Sequence, residues 1–181
     1  MKDKKPLIPV VLFLAAVIGV FAVVQNFRTT SILTDPIDMR KTGQSLTNVT
    51  VFYLDVDSLS VVPSTRSVAV RVNQTEFIRD LITFLWESPG SLEAPLPHNT
   101  RLLHCFVSSR GEITLDFSAE ILELPGGSIQ EERLRLSALL RTLSENISPL
   151  DKVRLLVEGK SLEQWGSHLR LDQAIALEEW L

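Results

Sequence analysis

The chain has 181 residues, with 22 acidic and 18 basic side chains, and its net charge of −4 is spread along the sequence rather than gathered in blocks. Without clustered Lys and Arg it lacks the footprint of a nucleic-acid-binding protein, or of one that lies on an anionic lipid surface. Its single cysteine, Cys105, excludes an internal disulfide, so packing alone must hold the fold.

The first predicted element is residues 7–24, LIPVVLFLAAVIGVFAVV, which carry no charge and no polar face. With residues 25–27 at the interface, the run spans about 30 Å as a helix, the thickness of a bilayer's hydrocarbon core. It is read as a transmembrane signal-anchor over residues 7–27, with Leu7, Val11, Leu14, Val17, Phe21 and Val24 marking the segment that meets lipid. Lys2, Lys4 and Lys5 precede it and the next basic residue is Arg28, which keeps residues 1–6 in the cytoplasm and sends the rest across. Val20-Phe21-Ala22 is a passable signal-peptidase site, so cleavage after Ala22 is the alternative. The apolar run continues through Val24, which weighs against it, and no cysteine near its end is available for lipid attachment. Three basic residues and one acidic residue precede position 25, so the exported remainder carries −6.

Residues 28–47 mix Thr, Ser, Asp, Pro and Gly without a period and read as a linker. One domain is expected over residues 48–173. Residues 49–54 are β-branched and aromatic, a strand, and 55–58 supply turn formers. Residues 67–72 alternate, which predicts a half-buried strand with Val68, Val70 and Val72 on its inner face. Asn73 followed by Glu76 has capping-box spacing, and Ile78, Leu81, Ile82 and Leu85 recur behind it at helical period until Ser88-Pro89-Gly90. Residues 93–97 are a stiff extended loop. Residues 100–108 and 112–117 predict a hairpin, with Leu103, Cys105 and Val107 inward on one arm and Ile113, Leu115 and Phe117 on the other. A second capping box at Ser128 and Glu131 opens a helix bearing Leu136, Leu139, Leu140, Leu143 and Ile147, stopped by Pro149. Residues 152–158 alternate again, with Val153, Leu155 and Val157 inward, and residues 174–181 form a tail or a short helix. The order predicts an α+β domain in which a mixed β-sheet of about five strands is covered by two amphipathic helices.

The segments Val49-Thr50-Val51-Phe52-Tyr53-Leu54-Asp55, Leu96-Pro97-His98-Asn99-Thr100-Arg101-Leu102 and Gly111-Glu112-Ile113-Thr114-Leu115-Asp116-Phe117-Ser118 together resemble the GerMN (sporulation and spore germination) domain family. Residues 77–89, 131–143 and 153–159 resemble its two helices and last strand, in the same order, so the likeness covers roughly residues 48–173. The resemblance implies an extracytoplasmic, non-enzymatic domain of bacterial envelope complexes, with a fold related to ring-building modules of secretion-like machines. The namesake carries two such domains behind a lipid anchor. This chain has one, behind a plain apolar segment.

No G-x-S-x-G, phosphate-binding loop or paired-helix metal motif occurs, and no catalytic residue, cofactor or metal is expected. Asp55 and Asp57 have the spacing of a metal-binding D-x-D. The plainer reading is a turn in which Asp bonds its own backbone. A cell-wall enzyme or polymer-binding protein using that turn is the alternative to a binding module. His98, His104 and His168 lack ligand spacing, and Cys105 alternates with core positions, as a small buried residue does. Asn48, Asn73 and Asn146 begin formal glycosylation sequons, two of which helix ends explain. These features together read as an anchored envelope module acting on a protein partner or on itself, and not on nucleic acid. Arg71, Asp116 and Arg154 are its outward-facing candidates, Asp116 also to hydrogen-bond a loop.

Overall fold

The computed structural model describes residues 45–124 and 128–180; the predicted anchor, its cleavage site and the linker up to residue 44 lie outside these. Among the described residues no helix is long and apolar enough to cross a membrane. Strands β1 (Leu46–Asp55) and β2 (Ser60–Ala69) form an antiparallel ribbon. Helix α1 (Gln74–Thr83) follows and tightens into a 3-10 turn at Phe84–Trp86. Strands β3 (Leu102–Val107) and β4 (Glu112–Phe117) make the predicted hairpin, and α2 (Ile129–Asn146) leads to β5 (Lys152–Val157), which lies parallel to β4. The short strands β6 (Lys160–Ser161), β7 (Gln164–Trp165), β8 (Leu169–Arg170) and β9 (Ile175–Ala176) complete the chain.

The predicted order of elements and the α+β class are present. The strands, however, divide between the β1–β2 ribbon, the mixed sheet β3-β4-β5-β6 to which β9 adds beside β5, and a small β7–β8 hairpin. One hydrophobic core joins them, drawing Val49, Val51 and Tyr53 from β1, Ile78, Leu81 and Ile82 from α1, Ile113, Leu115 and Phe117 from β4, and Leu136, Leu139, Leu140 and Leu143 from α2. Both helix starts are capped as predicted: the Asn73 carboxamide accepts the Thr75 N–H (2.9 Å) and the Ser128 hydroxyl accepts the Glu131 N–H (3.3 Å).

Two expectations fail for physical reasons. Strand β2 stops at Ala69, so Val70 and Val72 lie outside the ladder and are exposed, and only Val68 of that trio is buried. The β3–β4 register shifts between Leu102 and His104, and this bulge turns Leu102 rather than Leu103 into the core, while Val107, expected inward, is exposed at the end of the strand. At the chain end the expected short helix is a 3-10 turn, and an unpredicted short strand precedes it. Ile175–Ala176 pairs with β5, Leu177 and Ile175 are buried, and a 3-10 turn at Leu177–Glu179 closes it.

Helix α2 does what a further strand would otherwise do. Register assigns Thr50, Phe52 and Leu54 to the edge of β1 that faces away from β2. Asn146 Oδ1 accepts the Thr50 N–H (3.1 Å), and its Nδ2 donates to the Thr50 carbonyl (2.7 Å). Thr142 Oγ1 accepts the Phe52 N–H (2.9 Å), while its own hydroxyl donates back to the Ala138 carbonyl (2.8 Å). Leu54 exchanges backbone bonds with Glu93 (3.0 and 2.8 Å), and Arg135 holds that loop by donating to the Ala94 carbonyl (2.8 Å) and the Glu93 carboxylate (2.9 Å). A turn earlier on the same helix, the buried Glu132 accepts the N–H groups of Ser167 (2.6 Å) and His168 (3.0 Å) and bonds the His168 ring (3.2 Å). Gly166, at φ +66°, lies so close that any side chain there would run into the Glu132 carboxyl.

Thr142→Val keeps the shape but strands the Phe52 N–H. It is expected to lower stability by about 1–3 kcal/mol in urea unfolding, while Glu145→Ala on the exposed face changes it by under about 0.5. Burial, the largest influence on Glu132, pushes its pKa up, yet the bonds from Ser167 and His168 together outweigh it and leave the carboxyl below its ordinary value. The unfolded chain therefore binds the proton more readily than the folded one. The stabilisation is complete above the unfolded pKa of about 4.3 and is lost as pH falls through the folded value. The stability gap between wild type and Glu132→Gln should accordingly narrow as unfolding is measured from about pH 5 down to about pH 3.

Candidate interaction surface

One face of the mixed sheet is turned to the core and the other to solvent. Alternation places Cys105, Ile113, Leu115, Phe117, Val153 and Leu155 inward. The outer face then carries His104 and Phe106 on β3, Glu112, Thr114 and Asp116 on β4, and Lys152, Arg154 and Leu156 on β5, held in register by the β3–β4 and β4–β5 pairs. Phe106 is 59% exposed and its ring stacks on His104, with centroids 6.1 Å apart and planes inclined at 17°. Beside them Arg154 Nε bonds Glu112 Oε1 at 3.3 Å.

Strand β3 is also an edge. The Ser108 N–H donates to the Glu112 carbonyl (2.8 Å), so by antiparallel alternation Phe106 and His104 bond β4, while the backbone of Cys105 and Val107 points away from the sheet. Arg79 of α1 closes the first half of this edge by donating to the carbonyls of Leu102 (2.8 Å) and Leu103 (3.0 Å). The second half, with Val107 37% exposed, carries no such clamp among the described residues.

Of the three outward candidates, Asp116 and Arg154 share this face and Arg71 does not. Arg71 follows β2 and is paired with Asp80 of α1 (2.6 Å). Asp116 is not exposed as expected. Its side chain is 6% exposed because the sheet wraps it: Oδ1 accepts the Gly159 N–H (2.8 Å) and Oδ2 bonds His104 Nδ1 (3.0 Å). The predicted loop bond is therefore present. It fixes the β5–β6 turn, where Glu158 and Gly159 both have positive φ, as tight hairpin turns require.

The other sequence candidates are spent locally. Asp55 Oδ1 accepts the N–H groups of Asp57 (3.1 Å) and Ser58 (3.2 Å), and hydrogen bonding by Ser58 holds its carboxyl below the usual range. This is the turn reading rather than the metal reading. Among the described residues no three His, Cys, Asp or Glu side chains converge as a metal site. Burial raises the Cys105 thiol pKa to about 11, against a smaller opposing pull from Arg79, so the thiol stays protonated and unreactive. Phe106 went unpredicted, although an aromatic at the outward parity of an otherwise regular strand was a readable signal.

Asp116→Ala should cost about 1–2 kcal/mol, because it removes the acceptor of the Gly159 N–H and the partner of His104. His104→Ala, removing a mostly exposed ring, should cost less than about 1 kcal/mol in the same thermal or urea melts.

Residues 50–163 match the family model "Germane: Sporulation and spore germination". No protein of curated function matches the sequence significantly. The fold is similar to that of a Clostridium perfringens protein assigned as a lipoprotein, at TM-score 0.53 and 18% identity, over 76% of this chain and 91% of that one. It is also similar to the first GerMN domain of the Bacillus subtilis sporulation protein GerM, at TM-score 0.52 and 18% identity, over 70% and 96% of the two chains. With the tandem GerMN domains of the same protein the TM-score is 0.50 at 18% identity, over 72% of this chain and 46% of that one. The family match spans more than half of the sequence, and the chain belongs to the Germane family of sporulation and spore germination domains.

Proposed function

We propose that this protein is a bacterial envelope module, held at the cytoplasmic membrane by residues 7–27 and presenting its domain on the outer side to bind a protein partner. The observation that carries this reading is the open half-edge of β3 beside the exposed Phe106. An unpaired N–H and C=O row next to an exposed aromatic is the surface that an extended segment of a partner adds to, gaining main-chain bonds and a side-chain pocket at once. The occupant is an extended segment of another envelope protein, with a second copy of this chain as the competing outcome. The apolar run of residues 7–24 and the likeness to a protein assigned as a lipoprotein both favour a place at the membrane.

Binding rather than catalysis is favoured because most of the buried polar side chains are committed to holding structure. Asp116, Glu132, Arg135 and Thr142 each bond a loop or strand. A catalytic group needs some of that hydrogen-bonding capacity free for a substrate.

The test is photo-crosslinking in cells that carry the full chain with a crosslinking residue at position 106 or, as a control, at position 145 on the exposed side of α2. A discrete adduct from position 106 alone, identified by mass spectrometry and lost when Val107→Pro blocks strand addition, is the expected result. Equal adducts from both positions, or none from 106, would remove this surface from the reading.

A further inference from the structure

A second feature lies away from the β3 edge. The outward side of the first half of α2 and the closing turn of the chain bound a cleft of about 250 Å³, lined by Gln130, Arg133, Leu134, Ser137, Glu179 and Trp180. We infer that this cleft is a binding site for a neutral saccharide.

Both walls are fixed before any ligand arrives. One is an 18-residue helix. The other is pinned by the β9–β5 pair, by the Leu177 N–H to the Asp151 carbonyl (3.0 Å) and by the Trp180 N–H to the Leu177 carbonyl (2.9 Å). Trp180 packs its ring against the hydrophobic core, and the Arg133 guanidinium stands 5.1 Å from the ring centroid, a cation–π contact. Leu134 and Trp180 thus give the cleft an apolar surface, on which the C–H face of a pyranose ring can rest.

The polar lining is unspent. Among the described residues the side chains of Gln130, Ser137 and Glu179 make no hydrogen bond or ion pair, and Arg133 is engaged only with the Trp180 ring. Together they offer an amide that donates and accepts, a hydroxyl that does both, a carboxylate that accepts and a guanidinium that donates. Sugar hydroxyls donate and accept at once, so they use such a mixed set in full. A phosphate or carboxylate would use only the donors and would face Glu179, whose charge offsets that of Arg133. The volume, somewhat below the roughly 300 Å³ at which drug-sized sites begin, suits one or two sugar rings.

The full chain, purified in detergent, is titrated by calorimetry with tetra-N-acetylchitotetraose and, separately, with glycerol 3-phosphate. Saturable binding of the oligosaccharide alone is expected. Ser137→Arg, which fills the cleft with a good helix former, should weaken it at least about tenfold without moving the thermal midpoint. Should Ser137→Arg unfold the domain, Gln130→Ala, at an exposed helix position, should still weaken binding measurably. No saturable binding at millimolar sugar, binding indifferent to the folded variants, or preference for glycerol 3-phosphate would each overturn the inference.

Discussion

The polar stripe on α2 is the constraint on which the rest of the domain depends. A two-stranded ribbon has two edges, and one edge of β1 faces the interior, where an unpaired N–H or C=O is costly. Thr142 and Asn146 meet that edge from the helix, and Arg135 delivers the Glu93 loop to its far end. The ribbon therefore stays a separate unit and does not need a place in the mixed sheet. Glu132 extends the same device to the turn between β7 and β8. Trp165 of that hairpin is fully buried and donates its indole N–H to the Ile121 carbonyl (2.9 Å). Four polar residues on one helix thus hold three non-adjacent pieces of chain.

This arrangement explains how the domain can leave other surfaces open. The mixed sheet buries one face and ties its turn through Asp116, while among the described residues the second half of the β3 edge makes no backbone pair. The cleft beside Trp180 is likewise bounded by elements that are fixed elsewhere. Rigid supports with unspent groups at their margins are what a binding module needs, since little ordering entropy is then lost on association.

Much of the fold was readable because its signals are local. Both helix starts follow from Asn73 and Ser128, each a short acceptor placed before an apolar periodic run, and the β3–β4 hairpin follows from alternation on either side of Gly111. The Asp55 turn also followed from its own residues, because an aspartate at a strand end bonds backbone N–H groups two and three residues on. Other features were not legible, and each depends on partners distant in sequence. Thr142 reaches Phe52 ninety residues away and Asn146 reaches Thr50 ninety-six away. Glu132 and Arg135 look like an ordinary solvated helix face in the sequence, yet both are buried by chain that arrives from elsewhere.

The sequence by itself determined both helices, the β3–β4 hairpin, the order of the main elements and the family, because capping, periodicity and turn chemistry act over a few residues. It also marked an apolar run long enough to span a bilayer, a property of length and composition alone. The tertiary structure decided which strand edges are closed and which stay open, that Asp116 is enclosed, and where unspent polar groups gather beside Trp180. Those outcomes depend on which distant segments meet, and a one-residue bulge such as that at Leu103 is enough to reassign a side chain from solvent to core.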